Sequence, residues 1–237
     1  MEEDLSAIMK GEPNLHKGRF ERGTLIARGT YNYTRGGKDA GTERWELMRM
    51  DGGRLVHSEI SAANSTTSVW YQTDANNRPS FVEVTKRQNN NLTRARYYID
   101  GRRLSVQMRG SESGALEQTT MLPESAMVLS PAIATLDWRS IEPSGLSNQE
   151  RISDYAISGE YLEALELIRA ARYIDTGMET VRVPAGVFQS RRLKRTTEKE
   201  TSDWWWHQTF GIVVKGRVRG GLEYVLTSFE PTPTGKQ

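Results

Sequence analysis

Three histidines, no cysteine and a run of three tryptophans bound the chemistry open to this 237-residue chain. Without cysteine there is no thiolate metal site, no iron–sulfur cluster, no disulfide scaffold and no cysteine nucleophile. The most unusual local feature is Asp203-Trp204-Trp205-Trp206-His207-Gln208. Side chains alternate along a strand, so Asp203, Trp205 and His207 share one face while Trp204, Trp206 and Gln208 share the other. Asp203 and His207 then lie roughly 14 Å apart along the strand, at about 3.4 Å per residue. That is too far for a direct bond, but it suits two groups flanking an extended ligand, with Trp205 as a stacking floor and His207 as a general base. The plainer alternative is a tryptophan hairpin packed on a helical plug, with His207 in solvent at the strand end. His57 and Glu59 form a second pair on one strand face, with Leu55 and Ser61. On a concave wall they would make an acid–base couple; on a convex wall they are an ordinary solvated pair. No third ligand stands at metal spacing, so no zinc is expected. His16 belongs to a polar N-terminal arm.

Other motifs are missing. There is no G-x-S-x-G, and no S-x-x-K tied to a partner. Arg35-Gly36-Gly37-Lys38 lacks both the Walker spacing and a following helix. No cofactor is therefore expected. The 32 basic side chains, 24 Arg and eight Lys, face 30 acidic ones, a net charge of +2. Arg102-Arg103, Arg191-Arg192 and Arg217 with Arg219 suit either recognition of an anionic group or the wet face of a sheet. The acidic balance favours the wet face, and no nucleic-acid partner is expected. The least polar stretch, 126–136, is broken by Ser130 and Pro131 and falls short of the ~20 residues of a membrane-spanning helix. The acidic Met-Glu-Glu-Asp-Leu-Ser start lacks the apolar segment of a signal peptide. This implies a cytoplasmic protein if Met1 is the natural start, and a periplasmic one if a leader has been removed.

The elements that must position these residues are strands. From Gly23 onward, short alternating runs are separated by turn signals. The predicted strands of the first half are 24–33, 41–50, 55–63, 69–73, 81–86, 93–99, 104–109 and 116–122. Asp51-Gly52-Gly53 and Asp100-Gly101 mark hairpins between them. Such spacing favours a meander over βαβ units. Residues 123–159 lose the rhythm, and 130–136 suits a helical turn opened by Pro131. Residues 160–174 fit either a helix or a strand. Strands resume at 178–183, 187–195, 203–208, 212–218 and 222–229. The expected organisation is a flexible arm over 1–22, one domain over 23–229 and a frayed tail over 230–237.

Trp45 and Leu47 alternate with Arg44, Glu46 and Met48. Trp70 alternates with Val69, Tyr71 and Thr73, and Tyr97 with Tyr98 occupies both faces of one strand. Aromatics on both faces reflect either strand propensity alone or a sheet curved around a cavity. The fold class expected is mainly β: a strongly curved antiparallel sheet, an open or half-closed barrel, with one or two short helices plugging or covering its concave face.

Val183-Pro184-Ala185-Gly186-Val187-Phe188 is followed by a basic strand and a charged gap. Trp204-Trp205-Trp206, Phe210-Gly211-Ile212-Val213-Val214-Lys215 and Gly221-Leu222-Glu223-Tyr224-Val225-Leu226 come next. This string, over 178–229, resembles bacterial families of unknown function with a V-P-A-G-x-F turn, which are themselves similar to lipoprotein-carrier open β-barrels wrapped around a helical plug. The resemblance implies a carrier or envelope protein that binds an apolar or amphiphilic small molecule, with Trp45, Trp70, Tyr71, Tyr97 and Trp205 as the candidate wall. The alternative is a cofactor-free isomerase, lyase or cyclase acting on a hydrophobic substrate through His207, Asp203, His57 and Glu59.

Overall fold

The computed structural model describes residues 23–76, 79–110, 114–121, 127–129, 154–157, 165–168, 172–196 and 201–232. Eight strands form the first half: β1 (Thr24–Arg35), β2 (Lys38–Met50), β3 (Gly53–Ala62), β4 (Ser65–Thr73), β5 (Pro79–Gln88), β6 (Asn91–Asp100), β7 (Arg103–Gly110) and β8 (Gly114–Met121). The short strands β9 (Met127–Leu129), β10 (Asp154–Ile157) and β11 (Leu165–Ile168) make a three-stranded sheet of their own. The chain ends on β12 (Arg172–Val183), β13 (Gly186–Thr196), β14 (Thr201–His207), β15 (Ile212–Val218) and β16 (Leu222–Pro231). Where the sequence left 160–174 open between helix and strand, the described part is strand. The helical turn expected over 130–136 lies outside the described residues, as does the arm over 1–22.

One antiparallel sheet of thirteen strands holds both halves, in the order β12-β13-β14-β15-β16-β1-β2-β3-β4-β5-β6-β7-β8. Every neighbour is sequential except one: β16 pairs with β1, so the two ends of the described chain meet inside the sheet. The hairpins follow from their turns. Gly36 and Gly37, at φ 58° and 75°, take the two positive-φ positions of a two-residue loop whose twist matches the strands it joins. The sheet is curled and not closed. Its bulges gather on β1, between Thr30 and Tyr31 against β16, and at Leu25/Ala27 and Tyr33/Thr34 against β2. Each extra residue sharpens the local twist. A further bulge between Trp205 and Trp206 lets β15 leave β16 early. The vacated Leu226 carbonyl accepts the amide of Ala185, 3.2 Å away in the β12–β13 turn. The Pro184-Ala185-Gly186 turn thus docks the edge hairpin back onto the middle of the sheet.

Alternation then divides the sheet into two faces. Registers carry one row from β2 to β6, with Leu47 opposite Val56, Val56 opposite Tyr71, Tyr71 opposite Val82, and Val82 opposite Tyr97, while on β16 and β1 Leu226 stands opposite Tyr31. All of these are buried, as are Tyr33, Trp45, Val69, Val84, Ala95, Trp204, Trp206 and Tyr224 on the same face. Tyr31 anchors its centre. It stacks at 6.0 Å on Trp45, meets the edge of Tyr224 at 5.5 Å and donates its hydroxyl to the Val213 carbonyl at 2.8 Å. Gly216 is the counterpart of this crowding. A Cβ there would stand 2.2 Å from Cζ of Tyr224, its cross-strand neighbour. Gly216→Ala is therefore expected to lower stability by about 1–3 kcal/mol through overpacking. Urea unfolding followed by tryptophan emission measures it, and an unchanged midpoint would show that Tyr224 can move aside.

Candidate functional site

Three places in the sheet carry the residues singled out by the sequence. The first is the buried face. Trp45, Tyr71 and Tyr97 of the proposed ligand wall all lie on it, joined by Trp204, Trp206, Tyr31, Tyr33 and Tyr224. Its apolar surface is interrupted by Glu43, which is fully buried and accepts hydrogen bonds from the Tyr33 hydroxyl and from Ser58 Oγ at 2.7 Å. Alternation places Glu43 on this face, since it shares its parity with Trp45 and Leu47, but its partners Tyr33 and Ser58 come from the two neighbouring strands and form no motif with it in sequence. Three donors of this face, Trp45 Nε1, Trp206 Nε1 and Tyr97 Oη, are buried and have no hydrogen-bond partner. Burial pushes the Tyr97 phenol up to about 12, so it remains protonated and a donor at neutral pH.

At one end of the sheet sits an aromatic cluster built by the bulge in β14–β15. His207 stacks on Phe210 at 5.2 Å and meets the edge of Phe188 at 5.6 Å; Phe210 meets Phe229 at 4.9 Å, and Phe229 reaches Trp45 at 6.2 Å. The His207 Nδ1 is buried without a partner, and desolvation lowers the imidazole below the ordinary histidine range. The ring is neutral at pH 7.

The second place is the opposite face around Trp205. By parity Asp203 and Trp205 lie together, as the alternation requires, but their company is ionic. The indole Nε1 donates to Glu179 at 2.7 Å, and Arg192, Lys215 and Arg217 lie 5.0, 5.2 and 5.9 Å from its ring centre. Arg192 also donates to Asp203 at 3.0 Å, which raises the Arg192 pKa. Trp205 is buried under these side chains. His207 has other neighbours entirely, the phenylalanines, so the pattern Asp203-Trp205-His207 is split between an ion-pair network and an aromatic cluster.

The third place is a polar groove of about 360 Å³ on this opposite face, lined by Arg28, Arg44, Glu46, His57, Glu59 and Glu230 among others. His57 stacks on Trp70 at 4.0 Å, bonds Ser68 Oγ at 3.3 Å and approaches Glu59 at 3.9 Å. Trp70 therefore supports a histidine on the polar face and is not part of the buried wall.

No family model matches the sequence, and no curated protein matches it. Among solved structures the chain is similar to a crystal structure of a DUF1089 family protein from Pseudomonas aeruginosa, at 13% identity and a TM-score of 0.43, over 73% of this chain and 87% of that one. No helix among the described residues is long and apolar enough to cross a membrane.

The neutral His207 makes a sign-definite prediction. Its unfolded form binds a proton near pH 6.5 and its folded form only at lower pH, so the unfolded state carries more protons in between. This contribution to stability is fully present above pH 6.5 and is lost as pH falls through the folded value. Relative to His207→Phe, the unmodified protein is expected to lose stability on acidification from pH 7.5. Parallel urea curves for the two proteins across this range measure the effect, and parallel pH dependences would refute it.

Proposed function

We propose that the chain binds an apolar or amphiphilic small molecule against the aromatic buried face of the curled sheet. The observation that carries this reading is the trio of buried, unpartnered donors, Trp45 Nε1, Trp206 Nε1 and Tyr97 Oη, within that wall. Leaving a buried donor unsatisfied costs roughly 1–3 kcal/mol. A ligand with an apolar body and one or two acceptor oxygens, such as an ester, amide or carboxylic acid, would recover that cost while covering aromatic surface. A curved antiparallel sheet is compatible with this use.

The acid–base alternative has less support. Asp203 is held by Arg192, and His57 with Glu59 lines the polar groove on the opposite face of the sheet. Of the four residues named for it, only His207 is linked to this face, through the ring contacts of Phe210 and Phe229 with Trp45.

Organic extraction of the purified chain followed by mass spectrometry is expected to recover a co-purifying amphiphile. Titration of the delipidated protein with long-chain fatty acids and their esters is expected to change the tryptophan emission saturably. Tyr97→Phe keeps the ring and removes the donor, Trp45→Phe removes the donor and puts a smaller ring in place of the indole, and each should weaken binding about 5–30-fold, the equivalent of roughly 1–2 kcal/mol. Trp205→Phe, on the ionic face, should leave the affinity unchanged. An empty protein that ignores the whole panel overturns the proposal.

A further inference from the structure

Among the described residues the thirteen-stranded sheet ends on two strands that pair on one side only, β12 and β8, and they are built differently. β12 carries the devices that keep an edge from pairing. A bulge interrupts it between Asp175 and Gly177, charged Asp175, Glu179 and Arg182 stud it, and the turn that follows is tied to Leu226. β8 has none of them. Its register with β7 runs without a shift from Met121 opposite Arg103 to Gly114 opposite Gly110. It contains no proline, no lysine or arginine, and a single charge, Glu117. Among the described residues it pairs with β7 alone. Almost the whole strand is exposed, including two large apolar side chains, Leu116 at 45% and Met121 at 63%. Leu116 extends the row of Met108, and Thr120 that of Leu104, so the buried-face pattern continues onto a strand that is left wet.

We infer that β8 is an interface edge and that its occupant is β8 of a second copy of this chain, added antiparallel about a twofold axis. The pattern of the strand selects the register. Outward-pointing amides recur at every second residue, so only residues of equal parity can pair, and such registers also keep each face of the sheet continuous across the junction. Among these, the register centred on Glu117 sets two carboxylates directly opposite each other, which is destabilising. The register centred on Gln118 uses Ala115 through Met121 and avoids that clash. It sets Gln118 against its own copy, Glu117 against Thr119, Leu116 against Thr120, and Ala115 against Met121. A Gln118 amide can both donate to and accept from its twin. By the twofold, two Glu–Thr, two Leu–Thr and two Ala–Met pairs complete the seam, with no charge directly opposite a like one. Closed twofold dimers are the commonest homo-oligomers, and this pairing satisfies both free strand edges at once.

The absence of native cysteine provides a clean test. Opposed residues of an antiparallel pair have Cα atoms about 4.5–5.5 Å apart, within the range a disulfide spans. Gln118→Cys in the full chain is expected to form a disulfide-linked dimer rapidly under mild oxidant. Asn90→Cys, at an exposed hairpin tip, should cross-link far more slowly. Sedimentation equilibrium of the unmodified chain should show a reversible monomer–dimer equilibrium. Gln118→Lys places like charges on the axis and should move its midpoint severalfold to higher concentration, with an unchanged circular dichroism spectrum. A monomer at every concentration, with Gln118→Cys no faster than Asn90→Cys, overturns the inference. So does a dimer that Gln118→Lys leaves intact.

Discussion

The pairing of β1 with β16 is the interaction on which the rest of the structure depends. Without it the chain is two separate meanders; with it, both belong to one sheet. The contact is costly in chain entropy, because it joins residues as distant as Arg28 and Glu230, and it forms only if dense local packing offsets the loop closure. That packing is visible where the strands meet. Tyr31, Tyr33 and Tyr224 touch one another's rings or edges, Trp45 covers Tyr31, and the Tyr31 hydroxyl caps a carbonyl of β15. The Arg28–Glu230 pair, 2.6 Å apart and largely exposed, marks the far end of this seam but adds little to its strength.

The bulges at the same seam connect stability to the candidate site. The extra residues Thr227, opposite Thr30/Tyr31, and Val214, opposite Trp205/Trp206, bend the sheet near the place where the Leu226 carbonyl accepts the Ala185 amide and His207 lies against Phe188 and Phe210. Ring contacts run from His207 through Phe210 and Phe229 to Trp45 and Tyr31. Polar atoms of the buried face at Trp45, Trp206 and Tyr97 stand in these strands without a hydrogen-bond partner.

The two faces spend their charge differently. On the face opposite the aromatic wall, arginine pairs with carboxylate across neighbouring strands: Arg96 with Glu83, Arg192 with Asp203, Arg217 with Glu223. Glu83 is buried between Arg94 and Arg96, so part of this face is dry and held by charge-assisted bonds. The excess of arginine over lysine suits such cross-strand pairing, because a planar guanidinium can bond one carboxylate and lie over an indole ring at the same time, as Arg192 does with Asp203 and Trp205.

The sequence by itself determined the strands of both meanders, most of their turns and, in the first half, which residues share a face. Period-2 alternation is a local property, and Asp51-Gly52-Gly53 or Gly36-Gly37 turn the chain whatever lies around them. It also named Trp45, Tyr71 and Tyr97 as wall candidates, and the registers of β2 to β6 set all three on one face. It could not place Trp70 or the company of His207 and Trp205. Trp70 shares the alternation of its strand equally with either role, and only the cross-strand partner His57 decides it. In β14 the alternation is right for Asp203 and Trp205, yet the bulge it cannot reveal gives His207 a different environment. The same holds for Glu43, Gly216 and the β8 edge. Glu43 takes its role from Tyr33 and Ser58 in the strands beside it, Gly216 from Tyr224 across its hairpin, and β8 from its place at the end of the strand order; cross-strand register, unlike alternation, leaves no periodic trace in the sequence.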